Sequence, residues 1–558
     1  MILDAQEGNA TELLRADVCI VGAGATGIAI ALELGQAGLD VLLLEAGGIA
    51  HNEQTHDAYR GTVTNPALHN PLHEHRERRL GGTTTIWGGR CVPYDPIDFE
   101  DRPWLSHARW PITYNEVARF YPRANQLCEA GDFDYSAEST FHGDQRPMIT
   151  GFHGQSFTTD TMERFSCPTD FGSRWRAKLV AMPNVRVLLN ASLFDIALDP
   201  TGETVTSLEL RKPNGQPLQV IANEVVLAAG GLETTRLLLA SRTIHRDGIG
   251  NEHGNLGRFY MAHIAGTVGA FQPSGGPDAV DNAYQIADDG TYCRRRLALR
   301  PEAQRSHQVG GFIARLHHTR IADPSHGSGV LSALRLGSAA VPQRFRNRLV
   351  DDETSAGHLA RHAGNVLRDL PAIASFAKRM ILSRRFAARK FPSVVVRPKS
   401  NRYSLDFHAE QEPNFHSQVR LSATERDTFG MPRLEVDWHY SPKDMDTIST
   451  ALALFAKDAA ASNSGRFDYD VAQVETEMTR YGAYGGHHLG TTRMGSDPKT
   501  SVVDADCRIH GVNNLYVAGG SVFATSSQAN PTLTAVALAL RVAEHLRRKH
   551  TTTPEITS

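Results

Sequence analysis

The feature that most constrains this chain is a glycine fingerprint, Gly22-Ala-Gly24-Ala25-Thr26-Gly27, set between two patterned runs. Ala16–Val21 before it reads as a buried strand, and Ile28–Gly35 after it as a helix. Gly22 permits the tight turn, Gly24 lets the backbone approach a pyrophosphate, and Gly27 lets the helix pack on the strand. The helix then opens at Ala25 and Thr26 with unpaired amides aimed at phosphate oxygens. A second strand, Val41–Leu44, ends at Glu45-Ala46, and Glu45 lies 18 residues past Gly27, placed to accept hydrogen bonds from a ribose. A bare G-x-G-x-x-G is a weak signal. Strand, helix, second strand and acidic end in this order specify a dinucleotide site, without selecting the dinucleotide.

A chain of 558 residues is too long for one simple core and is expected to form at least two domains. Its 58 Lys and Arg nearly balance 61 Asp and Glu, a net charge of -3 that gives no support to nucleic-acid binding. Met1–Arg15 is polar and acidic, without the basic-then-apolar order of a secretory signal. The apolar runs are strand-length, so no transmembrane segment is expected. Six scattered cysteines form no C-x-x-C pair and no metal-like spacing, so no metal site is expected and reduced thiols in a cytoplasmic protein fit best.

Three later segments select FAD. The first is Arg79-Leu-Gly81-Gly82-Thr83-Thr-Thr-Ile86-Trp87-Gly88-Gly89, whose small residues let a backbone lie flat on a flavin ring. The second runs from Glu224 through Ala229-Gly230-Gly231 to Arg236, a strand entering a helix through small residues. The third holds His487-His488-Leu-Gly490-Thr491, then Ala518-Gly519-Gly520-Ser521, then Asn530-Pro531-Thr532. Together these resemble the glucose-methanol-choline (GMC) oxidoreductases, in particular pyranose oxidases and bacterial glycoside 3-oxidases and dehydrogenases. The resemblance is strong over about residues 16–110, 185–265 and 480–548 and weak between them.

The resemblance implies a fold and a site. The fold is α/β, a discontinuous Rossmann-like FAD domain (1–110, 181–265, 480–558) with a substrate domain of sheet and helices (111–180, 266–479). Arg79, Gly81, Gly82, Thr83, Trp87, Gly88 and Gly89 belong to the flavin site, with Gly88 nearest N5. Leu193, on a strand expected around Val185–Ile196, contacts the adenine side. Ala229 and Gly230 form a second clamp, and Gly519, Gly520, Ser521, Pro531 and Thr532 contact phosphate, ribityl and ring. Ile86 stands where pyranose oxidases carry the histidine bonded to flavin, so the FAD is expected to be non-covalent.

Alcohol oxidation needs a base for the hydroxyl proton and a hydride acceptor, and histidine is the natural base near neutral pH. The family spacing H-x-x-G-T places the base at His487, leaving His488 a supporting role. Asn530 matches the second family position. Asn-Pro-Thr is also a good helix start, with Asn530 as cap and Pro531 in the first turn, and both readings can hold. The following helix would turn its positive end to the flavin N1–C2=O edge.

The expected activity is oxidation of a secondary hydroxyl of a sugar or glycoside, with O2 or another acceptor re-oxidising the flavin. A non-sugar alcohol and a redox-silent FAD-containing lyase are the alternatives. Phe312–His317 and Arg433–Trp438 read as strands of a sheet over the flavin, with Asp427–Pro432 a linking turn. Phe376–Lys399 carries Lys378, Arg379, Arg384, Arg385, Arg389, Lys390, Arg397 and Lys399. It reads as a solvated basic helix, a subunit contact or a lid, with an anionic membrane surface a further alternative. Oligomerisation, or a partner subunit carrying an export signal as for some similar large subunits, stays open.

Overall fold

A computed structural model describes residues 1–7, 13–141, 146–340, 356–393, 395–480 and 482–552. Its organising strand is Leu14–Val21, in which Val18, Cys19 and Ile20 are fully buried. A strand apolar on both faces belongs in the middle of a parallel sheet. Here it pairs in parallel with Val41–Leu44 on one side and with Pro217–Leu227 on the other. The chain turns at Gly22 into the helix Ala25–Gln36. A Cβ on Gly27 would lie 1.9 Å from the Gly22 carbonyl oxygen, so only glycine lets the helix close on the turn.

Among the described residues eight strands make this sheet. Ile2–Asp4, Val185–Leu189, Val41–Leu44, Leu14–Val21 and Pro217–Leu227 lie side by side, followed by antiparallel Val205–Arg211 and Ser192–Leu198. Leu515–Val517 joins in parallel along Val225–Leu227. The sheet thus draws on three separate stretches of chain. The C-terminal helix Thr532–Thr552 buries Leu533, Val536, Ala537 and Leu540 in the same core.

A second, antiparallel sheet has the order Gly465–Asp468, Met261–Pro273, Tyr403–Ala409, Phe312–His317, Leu297–Leu299, Phe157–Thr158, with Ala483–Leu489 paired to Met261–Pro273. The long strand Met261–Pro273 runs straight through residue 265. Phe312–His317 is a strand of this sheet, as expected.

Other expectations need correction. The stretch around Val185–Ile196 is two strands, broken at Asn190, whose φ of 56° is left-handed. The strand near 433 spans Pro432–Asp437 and lies in a separate three-stranded sheet with Gln418–Arg426 and Gly61–Val63. The basic stretch is helical only over Leu370–Ile381 and a π-turn at Leu382–Phe386. Beyond it, Arg389 donates to the Glu129 and Phe165 carbonyls, Arg397 pairs with Asp278 and Lys399 with Asp369. These contacts, rather than a continued helix, hold that chain down. The Arg385 side chain lies outside the described residues. Among the described residues no helix is long and apolar enough to cross a membrane.

Candidate functional site

A cavity of about 1060 Å³ runs from the fingerprint to the second sheet. It brings together most of the expected residues. Gly22, Gly24, Ala25, Thr26, Glu45 and Ala46 line one end, with Leu193, Ala229 and Gly230 beside them. Gly82, Thr83, Ile86, Trp87, Gly88 and Gly89 line the middle, and His487, Gly519, Gly520, Asn530, Pro531 and Thr532 close it. Gly27, Arg79, Gly81 and Ser521 do not line it. Gly27 packs under Gly22, Arg79 turns to Thr85 and Glu77, Gly81 donates to the Ala23 carbonyl, and Ser521 is buried.

The wall fits a dinucleotide with a flat ring. A Cβ placed on Gly24, Gly88, Gly230 or Gly519 would meet nothing within 4 Å, so four stretches of bare backbone face open space. The helices Ala25–Gln36 and Thr532–Thr552 both present their N-terminal residues to the cavity, a favourable setting for phosphate oxygens and for negative charge on a ring. Glu45 is held by the amides of Ala23 (3.1 Å) and Gly47 (2.9 Å). Burial pushes its carboxyl up, against those two amides and Arg78.

His487 is delivered by a bulge. In the pairing of Ala483–Leu489 with Met261–Pro273, Met261 faces Leu489 but His263 faces Tyr484, so the chain from 485 to 488 bows out against one residue. Gly486 makes the bow with φ of 70°, and a Cβ there would sit 2.7 Å from that of His75. The bow turns the His487 ring edge-on to His263, with centroids 4.7 Å apart at 90°.

The hydrogen bonds around this pair set the protons. His263 Nε2 lies 3.2 Å from the Ser526 carbonyl, which can only accept, so that nitrogen carries the proton. Burial depresses the His263 imidazole to about 4, so it is neutral and its Nδ1 is an acceptor. His487 Nδ1, 2.7 Å away, therefore donates, and His487 Nε2 is left with its lone pair. Asn530 Nδ2 approaches that lone pair at 3.3 Å. Burial first, then His263, Arg90 and His75, holds the His487 imidazole well below the usual histidine range. The result is a neutral imidazole, in a residue that lines the cavity, with Nε2 as its acceptor nitrogen.

Of the two readings of Asn530, helix cap and site residue, the structure does not take the first. The helix starts at Thr532, the Ala535 amide bonds to the Pro531 carbonyl, and the Asn530 amide turns to His487. The His488 ring stacks on Tyr260, with centroids 6.1 Å apart at 25°, and Tyr260 Oη in turn lies 2.8 Å from His69 Nε2. Sequence reasoning missed His263, which lies against His487, and also Arg90, Thr267, Tyr284 and Asp406, which line the cavity. No local pattern marks them, since His263 stands 224 residues from its partner.

Comparison with known proteins agrees with this architecture. Residues 17–371 match the FAD dependent oxidoreductase family and residues 413–539 the GMC oxidoreductase family. Fructose dehydrogenase large subunit from Gluconobacter japonicus is 24% identical over 96% of this chain and 98% of its own. The 6'''-hydroxyparomomycin C oxidase of Streptomyces lividus is 25% identical over 95% and 92%. C-glycoside 3-oxidase of Microbacterium trichothecenolyticum is 35% identical over a shorter region, 23% of this chain and 24% of its own. In fold, the chain is similar to pyridoxine 4-oxidase from Mesorbium loti, with a TM-score of 0.52 at 18% identity, covering 96% of this chain and 99% of that one. The chain belongs to the FAD-dependent oxidoreductases and carries the C-terminal domain of the GMC oxidoreductases.

Proposed function

We propose that the chain oxidises a secondary hydroxyl of a sugar or glycoside, with His487 as base and FAD bound non-covalently. The observation that carries this reading is the relay from the Ser526 carbonyl through His263 to His487, which leaves a basic Nε2 beside Asn530 and on the cavity that Gly88 also lines. FAD, held along Gly24, Gly88, Gly230 and Gly519, would supply the acceptor for the hydride of the hydroxyl-bearing carbon. His487 Nε2 takes the hydroxyl proton, and its Nδ1–H stays on His263. Asn530 Nδ2 donates to the substrate oxygen as that proton leaves. His263 is a positioning residue: it fixes the tautomer that makes His487 a base.

Relatives named for fructose, hydroxyparomomycin and C-glycosides support a sugar substrate. So does a cavity lined by Arg90, Thr267 and Asp406, which can bond hydroxyl groups, together with Tyr284 and Phe165. A non-sugar alcohol is the second reading, favoured by the 2-methyl-1,2-propanediol dehydrogenase of Mycolicibacterium austroafricanum, 23% identical over 96% of this chain and 96% of its own. Ile86 on the cavity wall offers no nucleophile and supports non-covalent binding. The six free cysteines support a cytoplasmic location. In this reading the flavin domain comprises the first sheet with the loops of 79–89 and 519–532, and the second sheet shapes the substrate side. O2 or another acceptor, with or without a partner subunit, completes the cycle.

The test is an anaerobic panel of monosaccharides, glycosides and simple diols, watched for loss of oxidised-flavin absorbance and followed by air. Bleaching by a sugar or glycoside is expected. Bleaching by diols alone would replace the first reading with the second, and bleaching by none would remove both. Acid precipitation should release all flavin to the supernatant, and flavin left on the precipitated chain would overturn non-covalent binding.

A further inference from the structure

Away from His487, three side chains converge on the loop that leads into the flavin-facing glycines. His51, His56 and Glu77 each offer one ligand atom, and these atoms lie within 4.8 Å of one another. His51 precedes the short helix Glu53–His56, and His56 ends it. His56 Nε2 lies 3.0 Å from the His73 carbonyl, so that nitrogen carries the proton and Nδ1 the lone pair. This Nδ1 is buried without a hydrogen-bond partner, in a residue only 9% exposed. A buried acceptor left unmet is costly and asks for a donor or a cation.

His51 presents Nδ1 to Glu77 Oε2 at 3.0 Å and Nε2 to Glu53 Oε1 at 3.2 Å. Glu53 thus stands behind one histidine and the His73 carbonyl behind the other. Those are the outer partners that orient metal-binding imidazoles and raise their basicity. A proton on His51 can satisfy both carboxylates, but it leaves His56 Nδ1 unmet. Glu77 also faces Arg79 Nε at 3.4 Å, so its carboxylate joins this cluster to the flavin-side loop.

We propose that His51, His56 and Glu77 bind a divalent transition-metal ion, with zinc the best match to two imidazoles, a carboxylate and a fourth position open to water. The ion clasps the helix Glu53–His56 to the segment entering Gly81 and Gly82 and takes no part in the oxidation. The test is to strip the holoenzyme with a chelator, dialyse it, and titrate with Co²⁺ and then Zn²⁺, reading ligand-field absorption against the flavin spectrum, calorimetric stoichiometry and melting temperature. One ion per chain with a raised melting temperature is expected. Glu53→Gln should weaken binding by about 10- to 100-fold, and His51→Ala or Glu77→Gln should abolish saturable uptake. His51 is partly exposed, so its removal spares the fold, and His253→Ala, at an exposed histidine elsewhere, should bind as wild type does. No saturable uptake at micromolar metal, or undiminished affinity in His51→Ala and Glu77→Gln, would overturn the proposal.

Discussion

Replacing His263 with leucine removes the acceptor for His487 Nδ1–H while leaving every cavity-lining side chain in place. The hydrogen bond that His263 accepts is lost, which costs about 1–3 kcal/mol. The imidazole can avoid that cost by moving its proton to Nε2, but that tautomer is no longer a base towards the substrate. At 1.36 kcal/mol per decade, the loss is about 5- to 150-fold in the rate of flavin reduction. His263→Asn separates positioning from packing, because its Oδ1 falls where Nδ1 was and can accept the same hydrogen bond. The assay is anaerobic stopped-flow reduction by the best substrate of the panel, with the limiting rate and the substrate Kd read separately at equal bound flavin. His263→Leu should lower the limiting rate with little change in Kd, and His263→Asn should recover most of it. Equal rates in the two variants, or an effect confined to Kd, would refute the relay.

His487→Ala should retain flavin and slow its reduction by about 10²–10⁴-fold, whereas His488→Ala, which removes a ring stacked on Tyr260, should cost much less; the reverse order would reassign the base. Asn530→Asp should melt near the wild-type temperature, since Asn530 does not occupy the helix cap, yet be reduced far more slowly, because a carboxylate there opposes negative charge on the flavin; a large melting loss at unchanged rate per bound flavin would make Asn530 structural only. The pH profile of reduction follows from the depressed His487: protonation removes the base, so the rate should be flat at and above the ordinary histidine value of about 6.5 and fall only well below it. An acid limb centred at or above that value would contradict the burial argument.

What sequence could show here depended on whether the physical requirement was local. The strand Leu14–Val21, the turn at Gly22 and the approach of Gly27 are contained in about fifteen residues, and their spacing carries the geometry with it. The same holds for Phe312–His317, and for the turn joining Gln418–Arg426 to Pro432–Asp437, although not for the sheet those two strands enter. Partner choice is a long-range matter, and an alternating run of six residues is equally at home in either sheet.

His487 illustrates both limits. Its place in the motif was legible. That the chain bows out before it depends on the register with Met261–Pro273, which no local pattern states. His263 is the other half of that register, and as a lone histidine in an apolar strand it looks like an ordinary core residue. Asn530 carried two readings, cap and site residue: Asn-Pro-Thr suits a cap, but starting the helix at Thr532 frees the amide to meet His487. A local preference and a long-range contact competed for one side chain. The contact prevails: the Ala535 amide bonds to the Pro531 carbonyl at the helix start, and Asn530 Nδ2 lies 3.3 Å from His487 Nε2.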